Sequence, residues 1–93
     1  MIEMKRSSGN IFEDLGVQDA ENMKLRAELV AEVLRTMEEA GWNQTEAAKH
    51  FGVTRTRLND ALRGRLEKVT IDRLVMMLAA VGRHVHVTVN RTA

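Results

Sequence analysis

The stretch NQTEAAKHFGVTRTRLNDALRG, residues 43–64, decides how the chain folds. It predicts two short helices, at residues 44–51 and 55–63, joined by a turn at Gly52. Glycine at the end of a helix allows the positive φ that a sharp change of direction requires. The stretch therefore has the sequence form of a helix-turn-helix.

Local capping signals predict where both helices begin. Asn43, followed three residues later by Glu46, forms a variant of the capping box. The apolar Trp42 just before this cap is placed to pack on Ala47 as a hydrophobic staple. Thr54 is the expected N-cap of the second helix.

The second helix has a buried side and a polar side in its sequence pattern. Leu58 and Leu62 lie one turn apart and are expected to face inward with Ala61. The side chains expected to face outward are Arg55, Thr56, Asn59, Asp60 and Arg63. A helix so rich in arginine is suited to contact a polyanion.

The flanking sequence predicts a mainly all-α fold with five helices and one C-terminal β-strand. The helices outside the central pair are expected at residues 10–15, 19–40 and 71–81, with Asn10, Asp19 and Thr70 as their N-caps. Leucine, valine and methionine recur every four residues along the long helix and predict its buried side. We expect an N-terminal arm with the short helix over residues 1–18, the helix-turn-helix domain over 19–82 and the strand segment over 83–93.

The sequence HVHVTV, residues 84–89, alternates strictly and predicts a strand with Val85, Val87 and Val89 on one side. A lone strand has unpaired edges, and two-fold dimers are the commonest oligomers. We therefore predict dimerisation through these three valines. A strand from a partner protein, or from the N-terminal arm, is the alternative.

The charge of the chain is unevenly distributed. The 93 residues have a net charge of +1 and include no cysteine, which excludes disulfides. Residues 1–42 carry five basic and nine acidic side chains, residues 43–65 have a net charge of +3, and residues 66–93 one of +2. The basic excess begins with the helix pair, which indicates a polyanion contact at one face.

No apolar run approaches the roughly 20 residues that span a bilayer, so we expect no membrane partner. No long apolar run follows Lys5 and Arg6, so a signal peptide is not predicted. The expected localisation is cytoplasmic.

We predict that the second helix enters the major groove of DNA, where residues near its N-terminus meet base edges. The predicted base-reading residues are Arg55, Thr56, Asn59 and Asp60, and the predicted phosphate-binding residues are Gln44, Lys49, Thr54, Arg57 and Arg63. Asp60 has two interpretations. It can accept a hydrogen bond from a cytosine amine or, as we favour, orient Arg57 or Arg63 as an intrahelical partner.

Residues 44–65 resemble the helix-turn-helix of the XRE (Cro/CI-type) DNA-binding proteins, which have a lambda-repressor-like fold. The sequence SSGNIFEDLG, residues 7–16, followed by a long helix and a final HVHVTV strand, resembles small HigA-type antitoxins. This resemblance implies a bacterial homodimer that binds a palindromic operator in double-stranded DNA and represses its own operon. It also implies a toxin partner that cleaves mRNA.

Individual positions carry the resemblance. Gln44 matches the family's phosphate-binding glutamine, and Arg55, Thr56 and Asp60 match its base-reading positions. Ala61 departs from the pattern, because a larger apolar residue is common there.

The sequence gives little support for two other classes of function, metal binding and catalysis. His84 and His86, with His50, are candidate metal ligands, but no cysteine or carboxylate cluster completes a site, so no cofactor is expected. An enzyme is not predicted, because the sequence offers no plausible nucleophile–base pair, glycine-rich phosphate loop or paired carboxylates. A repressor without a toxin, and a helix-turn-helix that binds only protein, stay open as alternatives.

Overall fold

The computed structural model describes residues 2–4 and 17–91, and the fold is mainly α-helical, as predicted. The elements in chain order are β1 (Ile2–Met4), α1 (Val17–Ala40), α2 (Gln44–Phe51), α3 (Arg55–Leu62), a 3₁₀ helix (Leu66–Lys68), α4 (Ile71–Ala80) and β2 (Val87–Val89). The fifth predicted helix, at residues 10–15, lies outside the described residues.

The long helix α1 begins three residues earlier than the predicted N-cap at Asp19 implies. Asp19 lies inside its first turn and is not the N-cap. An acidic side chain in this turn still interacts favourably with the helix dipole. At the other end, Gly41 has φ 72°, and the Trp42 amide donates to the Met37 carbonyl at 3.0 Å. The bond turns the chain towards α2.

The hydrophobic core lies between α1 and the shorter helices. Leu29, Leu58, Leu74 and Val33 are its largest fully buried side chains. The rest of the buried cluster consists of Leu25, Met37, Ala47, Ala48, Phe51, Ala61, Val69, Met77 and Leu78. Burying one large aliphatic side chain stabilises a fold by about 1.5–3 kcal/mol, so this cluster fixes α2 and α3 on α1 and α4.

The C-terminal strand β2 is shorter than predicted and is paired within the chain. It lies parallel to β1, with Ile2 opposite Val87 and Met4 opposite Val89. The N-terminal arm thus supplies a second strand, which was one of the alternatives that the sequence left open.

The three valines that we predict to form a dimer joint differ in exposure within the chain. Val85 precedes the strand and packs against the core, whereas Val87 is 44% and Val89 79% exposed. The pairing with β1 begins at Val87, so Val85 lies outside the paired part of the segment.

Within residues 2–4 and 17–91, none of the helices combines the length and the apolar character needed to cross a bilayer.

Candidate nucleic-acid interface

The N-terminus of α2 is fixed by the predicted capping box. Asn43 Oδ1 accepts from the Glu46 amide at 2.8 Å, and the Asn43 amide donates to Glu46 Oε1 at 3.0 Å. The Trp42 ring stacks on His50, with ring centroids 4.0 Å apart, and meets Phe51 edge-on at 5.8 Å. These contacts hold both ends of α2.

The turn between α2 and α3 has the predicted left-handed glycine. Gly52 has φ 73° and ψ 31°, and the Val53 amide donates to the Ala48 carbonyl at 3.0 Å. Thr54 then caps α3, because its Oγ1 accepts from the Arg57 amide at 3.1 Å. The start and direction of α3 are therefore set by local hydrogen bonds.

Helix α3 buries one side and exposes its N-terminal turn. Leu58 and Ala61 are fully enclosed, and Leu62 is half-buried against the core. All three residues of the first turn, Arg55, Thr56 and Arg57, are exposed, and Asn59 and Asp60 are half-buried.

Four of the predicted DNA contacts line one open groove between α2 and α3. These residues are Gln44, Arg55, Thr56 and Asn59, and the groove has a volume of about 330 Å³. Lys49 is exposed on α2 but does not line the groove. It follows Gln44 by five residues, which places it about 140° around the helix.

Asp60 has a different partner from either arginine proposed from the sequence. Its Oδ1 lies 3.1 Å from Nη1 of Arg65, and its side chain is 17% exposed. Gly64, with φ 77°, reverses the chain after α3, so the Arg65 amide donates to the Asp60 carbonyl at 3.0 Å. The reversal brings the Arg65 side chain back to the same residue, and the prediction of Arg57 or Arg63 as partner is wrong.

A second basic cluster lies beside α3, and two of its members were not predicted. A cavity bounded by α3, the 3₁₀ helix and α4 is lined by Arg57, Lys68, Val69, Thr70, Arg73 and Met77. In the sequence, Lys68 and Arg73 were indicated by the net charge of +2 of residues 66–93. A net charge does not show which of the basic side chains lie close together in the fold. Arg63, the remaining predicted phosphate contact, is exposed at the C-cap of α3.

The sequence profile of a helix-turn-helix domain family matches residues 11–90, which is most of the chain. The chain belongs to this helix-turn-helix domain family. No curated protein matches the sequence significantly, and no solved structure does either. The helix-turn-helix protein is accordingly a DNA-binding regulator, of a class that is typically non-enzymatic.

The three histidines of the helix-turn-helix protein do not form the candidate metal site. His50 stacks on Trp42, whereas His84 and His86 line a cavity of about 220 Å³ beside Glu32 and Arg35. In the part of the chain that the structure describes, no three potential ligands lie close enough together to hold a metal ion. His84 and His86 are better explained as polar residues next to the strand.

Proposed function

We propose that this protein is a sequence-specific repressor that binds a palindromic operator in double-stranded DNA as a homodimer. The exposed N-terminal turn of α3, beside Gln44 at the start of α2, is the observation that carries the proposal. An α-helix fits the major groove, and in a helix-turn-helix the second helix reads it.

Sequence is read, in this proposal, by Arg55, Thr56 and Asn59. An arginine guanidinium can donate two hydrogen bonds to guanine, and an asparagine amide can pair with the exposed edge of adenine. The half-burial of Asn59 beside the exposed Arg55 supports this assignment, because a held side chain loses less conformational entropy on binding.

In this proposal, Gln44 and Thr54 bind phosphates on one side of the DNA major groove. Both lie at helix N-termini, where backbone amides favour anions. The Thr54 hydroxyl oxygen accepts from the backbone amide of Arg57, so the hydroxyl group is left able to donate its hydrogen to a phosphate. These contacts fix the position of α3 and carry no sequence information.

A mobility shift of the DNA upstream of the gene, over a salt series, tests the proposal. Binding should weaken steeply with salt, because phosphate contacts release counterions. Arg55→Ala should cost about 1–3 kcal/mol on the operator, and much less on unrelated DNA. Arg35→Ala on α1 is the matched control, since its exposed pair with Glu32 lies on a different helix. Unchanged operator binding by Arg55→Ala would show that the base reading is assigned wrongly.

We further propose that the repressor is the antitoxin of a type II toxin–antitoxin pair. The support is the resemblance of residues 7–16 and of the following long helix to HigA-type antitoxins; residues 7–16 lie outside the described residues. The toxin would be an mRNA-cleaving protein encoded next to it.

Co-expression with the product of the neighbouring gene tests the antitoxin role. The two proteins should co-purify, and cleavage of mRNA by the neighbour should stop when this protein is in excess. A neighbour that neither cleaves RNA nor binds this protein would leave the alternative, a repressor without a toxin.

A further inference from the structure

The cavity between α3, the 3₁₀ helix and α4 is lined by three cationic side chains. Arg57 comes from α3, Lys68 from the 3₁₀ helix and Arg73 from the first turn of α4. Its volume of about 80 Å³ is several times the roughly 10–15 Å³ that one water molecule requires. A small oxyanion therefore fits.

The framework of the cavity is held from several directions. Arg26 of α1 donates to the Leu66 carbonyl at 2.8 Å and so ties the 3₁₀ helix to the long helix. Thr70 Oγ1 accepts from the Arg73 amide at 3.2 Å, which fixes the start of α4. The Lys68 and Arg73 backbones are thus positioned without any ligand.

Among the residues that the structure describes, no carboxylate lines this cavity. The nearest acidic residues in the sequence, Glu67 and Asp72, are both exposed and are not among its lining residues. Asp72 precedes Arg73 by one residue, which directs it about 100° away around α4. Three like charges that line one cavity, with no carboxylate among its described lining residues, favour binding of an anion.

The cavity and the α2–α3 groove lie on opposite sides of α3. Arg55 and Asn59 are four residues apart, about 40° around the helix, and both line the groove with Gln44. Arg57 follows Arg55 by two residues, about 200° around, and lines the cavity instead. A helix of about 10–12 Å diameter fills a major groove of about 12 Å, so its two sides face the backbones of different strands.

We propose that the cavity lined by Arg57, Lys68, Thr70 and Arg73 is a phosphate-binding site, which holds a backbone phosphate of the DNA strand opposite to the one contacted at Gln44. This inference rests on the proposed DNA binding and extends it to a second, sequence-independent contact. The two phosphate contacts together fix the depth and tilt of α3 in the DNA major groove.

Salt-dependent binding of Lys68→Gln and Arg73→Gln tests the site. Each variant should lower the slope of log K against log salt by about 1, and should weaken operator and unrelated DNA by the same factor. Lys24→Gln, an exposed cation on α1, is the matched control and should keep the wild-type slope. Unchanged melting temperatures would show that all three variants fold.

A second measurement distinguishes a DNA phosphate from a free one. Backbone amide signals of residues 70–73 should shift in NMR spectra when operator DNA is added. If the wild type binds DNA but both variants keep the slope of Lys24→Gln, the inference is overturned. The same holds if inorganic phosphate shifts these signals and DNA does not. If the wild type binds no DNA, the proposed function itself fails.

Discussion

Asp60 places a negative charge on the helix that we expect to enter the DNA groove. Its carboxylate is bound by Arg65, and the pair is partly buried, with 17% of the Asp60 side chain exposed. A carboxylate that already accepts from arginine has less capacity to accept from a base. The structure therefore favours a positioning role for Asp60 over base reading.

Replacement of Asp60 by asparagine separates these roles. Asp60→Asn removes a charge that repels phosphate, so binding to operator and to unrelated DNA should both tighten by a similar factor. Its effect on stability should be below about 1 kcal/mol, because Arg65 is nearly half exposed and the pair is screened. Fluorescence anisotropy with two labelled duplexes would measure the ratio, and a loss confined to the operator would show that Asp60 reads a base.

At the scale of elements, α3 is an exposed helix whose position depends on one buried side. Leu58 and Ala61 are fully enclosed, and the half-buried Leu62 packs against the same core. The small Ala61, which departs from the XRE-type pattern, lets α3 approach its neighbours closely, and Leu62 adds apolar area beside it. The geometry of DNA binding thus depends on core packing under the helix.

Truncation of Leu58 should therefore affect both stability and DNA binding. Leu58→Ala removes a fully buried side chain and should cost about 2–5 kcal/mol. The matched control Leu34→Ala, on α1, is 45% exposed and should cost much less. Urea denaturation, followed by the fluorescence of Trp42, the single tryptophan, gives the free energy of unfolding of each variant. Equal losses in the two variants would mean that α3 is not held by this contact.

At the scale of the whole molecule, charge is unevenly distributed along the chain, and several large apolar side chains are exposed. Residues 1–42 carry the acidic excess, and the basic residues of the interface come from residues 43–73. Val89 on β2 and Met76 on α4 are the most exposed large apolar side chains among the described residues, at 79% and 67%. One α3 covers one half-site, so a dimer through either surface would raise operator affinity.

Charge substitution tests which surface joins the two copies of the proposed homodimer. Val89→Lys should dissociate the dimer and reduce operator binding, because a buried lysine is disfavoured at an interface. Met76→Lys is the matched control and should keep the dimer. Sedimentation velocity of both variants distinguishes them. Dissociation by Met76→Lys alone would show that the dimer interface lies at α4 and not at β2.

Much of the fold was predictable because its determinants are local. The capping box at Asn43, the left-handed Gly52 and the cap at Thr54 are interactions between residues at most a few positions apart. The same locality explains the groove, since Gln44 and Asn59 belong to two helices joined by one short turn. The start of α1 lies three residues before the predicted one, because the ends of a helix are less strongly specified than its interior.

The sequence by itself determined the helix-turn-helix, its caps and the buried side of α3, because periodicity and capping act over one or two turns of a helix. Only the tertiary structure decided that Asp60 pairs with Arg65, that Arg57, Lys68 and Arg73 meet at one cavity, and that β1 pairs with β2. These contacts depend on where the chain reverses and on how whole helices pack. Spacing along the sequence does not specify that geometry.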